Sequence, residues 1–428
     1  MLKFRILLLT GLTAAFLLVP SKHGTISSQN LLLSTQKDPI NRLIFNKLIE
    51  EQNSGIIDGI MEKFRAQNGL KGVTVAIVKD EKLIFTKGYG YANEESQIQA
   101  NPTQLFRIAS VSKLITAVAI MKLVENSKIS LDSKVFGKYG ILNEEQFLHI
   151  KDRRLEKITV RNLLNHSGGW TQHYGDLAFL PKVVAKGVNE SLPVNIDSYI
   201  KFVTTHKVHF EPGSHSVYSN LGYVILGKVI SKVAGIDYET FVKKEVLEPA
   251  GINDMQLGKS FPEEALPNEV KYYQPEDGQP IESYDGSGRM VPKIYGGNDI
   301  HLLSSAGGWL SSAVDLMKLI IVIDNESGVK DIISPESIRE MTHVDPHKLD
   351  PLGWRATNER GEWWRTGTLP GCSALVKRQP DGYSWVILSN TSTYKGPHLA
   401  VEMNRIMSHI LSKVNKWPDY NLFSYLNN

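Results

Sequence analysis

Strand-like segments stand near both ends of this chain with helical patterns between them, and few folds accommodate that order. Residues 73–78 are apolar and rich in β-branched side chains, Asp80 and Glu81 offer a turn, and residues 83–86 return. Far along the chain residues 373–378 alternate, Pro380-Asp381-Gly382 turn, and residues 385–388 return. Apolar residues recur at three-to-four spacing in 112–125, 158–165, 220–234 and 311–323. The same spacing marks 41–68 before the first strand and 398–414 after the last. No Pro- or Ser-rich linker cuts the chain after residue 40, and there is no internal repeat. The pattern predicts one sheet assembled from both ends around a helical insertion, not two tandem domains.

The first residues carry a separate signal. Lys3 and Arg5 precede an apolar run from Ile6 to Val19, closed by Pro20, Ser21, Lys22 and His23. A basic start and a short apolar core read as a secretory signal peptide. The run falls short of the roughly 20 residues a spanning helix needs. A buried first helix is the plainer alternative. No Cys follows the run, which excludes an anchor on a lipidated Cys. A small-x-small cleavage site is missing, so residues 1–23 are a signal peptide or an uncleaved N-terminal membrane anchor. Residues 24–40 read as a linker. The expectation is export to the periplasm or the exterior.

Composition narrows the classes. With 42% hydrophobic and 22% charged residues among 428, the chain is neither disordered nor a multi-pass membrane protein. A net charge of +3 makes no case for a nucleic-acid partner. One cysteine, Cys372, permits no internal disulfide and no Cys-based zinc site. The 12 histidines form no H-E-x-x-H spacing, so no metal is expected. Cys372 reads as a small buried residue rather than a second nucleophile.

The chemistry concentrates at Ser110 and Lys113. Residues 114–124 are apolar almost all round, which marks a buried helix. A serine where such a helix begins meets free N–H groups and a dipole that favour negative charge. Lys113, three residues on, lies on the same face. Apolar surroundings disfavour its ammonium form and turn it into a general base for the hydroxyl. The S-x-x-K pattern is weak by itself and recurs at Ser34, Ser198 and Ser392. Ser34 falls in the linker and Ser392 in a polar turn, whereas periodicity alone does not dismiss Ser198. Only Ser110 opens a helix in which an unpaired lysine would be costly.

Two further stretches supply complementary groups. Tyr218 can relay a proton to a leaving group, and Asn220 can bond a substrate amide. The Y-x-N pattern recurs at Tyr91 and Tyr425, and a packed aromatic is the plain reading. In the stretch Trp363 to Gly371, Arg365 offers fixed charge to a substrate carboxylate. The N–H of Thr368 with that of Ser110 could form an oxyanion hole. The plain reading there is an exposed Arg on an edge strand.

Taken in order, Ser110/Lys113, Tyr218/Asn220 and Arg365/Thr366/Gly367 resemble the S-x-x-K, Y-x-N and K/H-T-G elements of the serine β-lactamase and penicillin-binding protein superfamily, near its class C-like branch. Flanking phrases at 106–110, 158–166, 210–213 and 306–309 are similar as well, and the resemblance covers about residues 41–412. It implies an α/β (α+β) fold: an antiparallel sheet flanked by helices, about 41–108 and 300–415, and an all-α region, about 109–299. The active site would lie between them, within a domain of residues 41–415, followed by a tail at 416–428. The implied activity is acylation of Ser110 and hydrolysis of the acyl-enzyme, with no metal or cofactor. Lys113 and Tyr218 share proton transfer, and Asn220, Arg365, Thr366, Gly367 and Thr368 bind substrate. Arg365 departs from the usual Lys or His, keeping charge without titrating. It favours a β-lactam or a D-amino-acid peptide, including peptidoglycan-derived ones. Two alternatives stay open: an esterase of the same family, and a non-catalytic cell-wall binding or sensor protein. In this reading His166, Trp309 and Asp315 pack or fix loops, and Trp417 to Tyr420 carry no signal.

Overall fold

The computed structural model describes residue 46 and residues 55–426. The signal or anchor reading at 1–23, the linker at 24–40 and most of the first half of the helix expected at 41–68 lie outside the described residues; its second half is the helix Gly55–Gln67.

The two chain ends meet in one seven-stranded sheet. Strands β1 (Gly72–Lys79), β2 (Lys82–Asn93) and β3 (Ile98–Gln99) come from the first end. Strands β4 (Ala356–Thr357), β5 (Trp363–Leu369), β6 (Cys372–Arg378) and β7 (Tyr383–Ser389) come from the second. The order is β3-β2-β1-β7-β6-β5-β4, antiparallel throughout. At the junction Val73 lies opposite Ser389 and Val75 opposite Ile387. β1 and β7 are buried along nearly their whole lengths, which explains their continuous apolar runs. Helix Ala313–Ile321 packs on both, and helix Leu399–Lys413 packs on β6 and on helix Gly55–Gln67.

β2 runs on to Asn93, well past the expected residue 86. Gly88 hides this continuation because it weakens the strand pattern. A Cβ there would lie 2.3 Å from the Ala100 carbonyl oxygen, so only glycine admits the neighbouring chain.

Helices Ser112–Glu125 and Asn220–Ala234 fall where the periodicity puts them. The insertion is not wholly helical. Gln256–Leu257 pairs with Trp309–Ser311, which also pairs with Phe106–Arg107, and Ile281–Glu282 pairs with Met290–Val291. Strands of two or three residues are too short to show a period. The segment expected as a tail packs onto the sheet. Leu422 and Phe423 are buried, and Asn421 Oδ1 accepts the β2 Leu83 N–H at 3.1 Å. A pair of adjacent apolar residues makes no periodic pattern, so this docking is silent in the sequence.

Candidate active site

Ser110 sits on a short 3-10 turn, Ala109–Val111, between the strand Phe106–Arg107 and the helix Ser112–Glu125. The strand is anchored on three sides. It pairs with Ser311 and Leu310, its Arg107 N–H donates to the Tyr272 hydroxyl at 2.9 Å, and the Arg107 guanidinium donates to the Ile294 and Lys259 carbonyls. The turn is strained: Ala109 has φ +46°, a left-handed conformation that L-residues rarely adopt. Beyond it, every residue from Ser112 to Met121 is buried. Ser110 itself is half-buried.

Lys113 is fully buried, and its Nζ donates to Ser110 Oγ at 3.2 Å, to Asn220 Oδ1 at 2.6 Å and to the Ala306 carbonyl. Burial pulls its pKa from 10.5 to about 8; Tyr218 opposes the fall and the Arg365 charge adds to it. The Tyr218 hydroxyl donates to Ser110 Oγ at 2.7 Å. Burial by itself would raise the Tyr218 pKa, but the Lys113 and Arg365 charges outweigh it and the pKa is lowered.

The Tyr218 ring rests on His166, with centroids 4.5 Å apart. His166 has the role of a loop-fixing residue. Its carbonyl accepts the Val217 N–H and its Nδ1 accepts the Ser219 N–H. Burial, then the charges of Arg365 and Lys113, hold this imidazole far below its usual pKa, so it is neutral with the proton on Nε2.

Arg365, expected to face a substrate carboxylate, is drawn into the Ser110 cluster itself. It is 1% exposed, and each of its three side-chain nitrogens donates to the protein. Nε reaches the Ser110 carbonyl at 2.9 Å, Nη1 the Trp354 carbonyl at 3.2 Å and Nη2 the Tyr218 hydroxyl at 3.2 Å. The alternation of β5 explains the difference. Arg365, Gly367 and Leu369 share the buried face, while Thr366 and Thr368 are half-buried on the other. The charge expected to face a substrate carboxylate is turned inward, onto Tyr218. Gly367 is required where it stands. A Cβ there would be 2.1 Å from the Ile108 carbonyl oxygen and 3.1 Å from the Ser110 nitrogen. β5 therefore lies directly against the Ser110 turn, with Thr368 next along the strand.

Asn220, expected to bond a substrate amide, stands in the same cluster. Its Oδ1 faces Lys113, while its main-chain N–H and Nδ2 donate to Asp176 Oδ2 at 2.7 and 3.0 Å. Neither Asp176 nor the Ala306 carbonyl was marked as functional by the sequence. Asp176 has no motif around it, and a carbonyl leaves no trace in residue type, although the 306–309 phrase contained the right segment.

Among the other S-x-x-K serines, Ser34 lies outside the described residues. Ser198 and Lys201 both bond to Glu190, the lysine at 3.0 Å and partly exposed. Ser392 bonds to the Tyr273 carbonyl, and Lys395 to Glu402 and Asn68. Neither lysine faces its serine. Cys372 is buried, and burial pushes its thiol up to about 11, unsuited to nucleophilic work. The Ser110 cluster thus combines a hydroxyl with two proton-exchanging partners and a fixed positive charge, the equipment for acyl transfer.

A family model described as Beta-lactamase matches residues 57–405. The chain is 26% identical over 317 residues to a putative penicillin-binding protein, PbpX, of Bacillus subtilis (strain 168), covering 74% of this chain and 69% of that protein. It superposes on the octameric penicillin-binding protein homologue from Pyrococcus abyssi with a TM-score of 0.62 at 28% identity, over 85% of this chain and 78% of that one. The D-amino acid amidase from Ochrobactrum anthropi SV3, complexed with L-phenylalanine amide, shares the fold with a TM-score of 0.64 at 20% identity, over 84% and 98% of the two chains.

Proposed function

The chain belongs to the Beta-lactamase family, and from that premise we propose that it hydrolyses amide or ester bonds through an acyl-enzyme on Ser110. The supporting observation is Ser110 Oγ held between the Tyr218 hydroxyl at 2.7 Å and Lys113 Nζ at 3.2 Å. Oγ attacks the substrate carbonyl carbon, and its proton passes to the Tyr218–Lys113 pair. The carbonyl electrons move to oxygen, opposite the Ser110 and Thr368 N–H groups. Collapse breaks the bond to the leaving nitrogen or oxygen, which takes the proton back through Tyr218. Water repeats the sequence on the acyl-enzyme: it yields a proton to the pair, the ester bond to Oγ breaks, and Ser110 regains its proton. Arg365 supports the phenolate character of Tyr218, and Asn220 holds Lys113. No cofactor takes part in these steps.

The substrate follows from what the site offers. Likeness to a putative penicillin-binding protein supports β-lactams and D-amino-acid peptides, including peptidoglycan-derived ones. The inward turn of Arg365 favours the second reading, an ester or amide without a carboxylate requirement. Export belongs to the same proposal, resting on residues 1–23; no helix among the described residues is long and apolar enough to cross a membrane.

The test is intact mass after exposure to a penicillin and to a general serine-hydrolase phosphonate. An adduct that disappears in Ser110→Ala is expected; no adduct, or one that persists in that variant, defeats the proposal. An acyl adduct that forms but never hydrolyses would point to the binding or sensor alternative.

A further inference from the structure

A cavity of about 310 Å³ is bounded in part by Tyr218, the hydrogen-bond partner of Ser110. Tyr218, Ser219 and Leu221 line it, so the cavity and the catalytic cluster have Tyr218 in common. The floor is apolar: Leu221, Val203 and Phe202 are all buried. Leu177, Leu180 and Val183 supply the facing wall, from the turn Leu177–Phe179 and the helix Pro181–Val188. Val183 and Tyr174, which also line it, are 47% and 73% exposed, so the cavity is open to solvent on that side.

The charged groups do not compete for this space. Asp176 lies at the inner end, but Oδ1 accepts the Ala178 N–H and Oδ2 accepts both Asn220 donors. His206, Lys207 and His209 lie at the exposed rim. A concave, mostly apolar space adjoining reactive groups is the usual form of a specificity pocket.

We propose that this cavity receives an apolar group flanking the scissile carbonyl, a medium-length alkyl chain or one aromatic ring. The inference rests on the Ser110 reading and names the substrate class for it. At roughly 30 Å³ for each water-sized unit, the space suits a group of about ten heavy atoms. It disfavours a group that carries a carboxylate down among Leu221, Val203 and Phe202, where a charge would be buried without a partner.

Two ester series test the idea. In one the acyl chain grows from acetyl to octanoyl on p-nitrophenol; in the other the alcohol grows on acetate. In one series kcat/KM should rise about fourfold per methylene until the cavity fills. A terminal carboxylate on the same chain should cancel the gain. Leu180→Trp, or Val183→Trp at the mouth should the first misfold, should bring the long-to-short ratio back toward one. Flat series in the wild type, or a ratio that survives both variants, overturns the proposal. Ser110→Ala separates the two claims. If it still hydrolyses acetate, the Ser110 reading fails. Binding of N-octylacetamide to Ser110→Ala, followed by calorimetry and weakened by Leu180→Trp, reads the cavity without turnover; no binding counts against it.

Discussion

Asp176 grips Asn220 at two points and so leaves Oδ1 as the atom that faces Lys113. It is a positioning residue in the proposed mechanism, acting through Asn220 and through its charge, which raises the Lys113 pKa. The direction of its effect on pH dependence follows. Lys113 works as a base only when neutral, so kcat/KM should rise with pH through a transition near 8. Asp176→Asn removes a negative charge that favours the ammonium form, so the transition should move to lower pH. A misplaced Asn220 should also lower kcat by about 10- to 100-fold. The pH–rate profile decides: a fall in kcat with an unmoved transition would leave Asp176 a purely structural role. Ser110 and Lys113 could be proposed from sequence because their chemistry is written in residue type and in a spacing of one helical turn, and Tyr218 because of its place in the family resemblance. Asp176 could not, because its partner is 44 residues away and no local pattern joins them.

The element that disciplines the site is β5. Its alternation sends Arg365 inward and brings Gly367 against the Ile108 carbonyl and the Ser110 nitrogen. Gly367→Ala must push β5 and the Ser110 turn apart. Overpacking of this kind costs about 1–3 kcal/mol, and a displacement near 1 Å at the nucleophile costs about 100-fold in rate. Thermal unfolding and ester hydrolysis measured together check both parts; an alanine variant with native activity would refute the close packing. The sequence put a strand edge at this place but assigned Arg365 to the substrate. Strand alternation says which residues share a face and leaves open which face meets the core.

Across the whole molecule, stability depends on contacts between distant parts of the chain. β1 lies between β2, its neighbour in sequence, and β7, some 300 residues away. The segment after residue 415 adds to this closure by covering β2 with Leu422 and Phe423. Truncation after Lys416 should therefore lower stability by about 1.5–3 kcal/mol for each of the two side chains. Denaturant unfolding should show a lowered midpoint, and an unchanged midpoint would mean the segment is dispensable. The pairing of strands from both chain ends and the buried helix behind Ser110 were legible in sequence alone, as were the candidate side chains Ser110 and Lys113, because periodicity and residue chemistry are local properties. The inward turn of Arg365, the Asp176–Asn220–Lys113 chain, the docked C-terminal segment and the apolar cavity beside Tyr218 were decided only in the tertiary structure. Each depends on which surfaces come together when segments far apart in sequence pack, and hydrophobic burial, being non-directional, leaves no local mark of its partner.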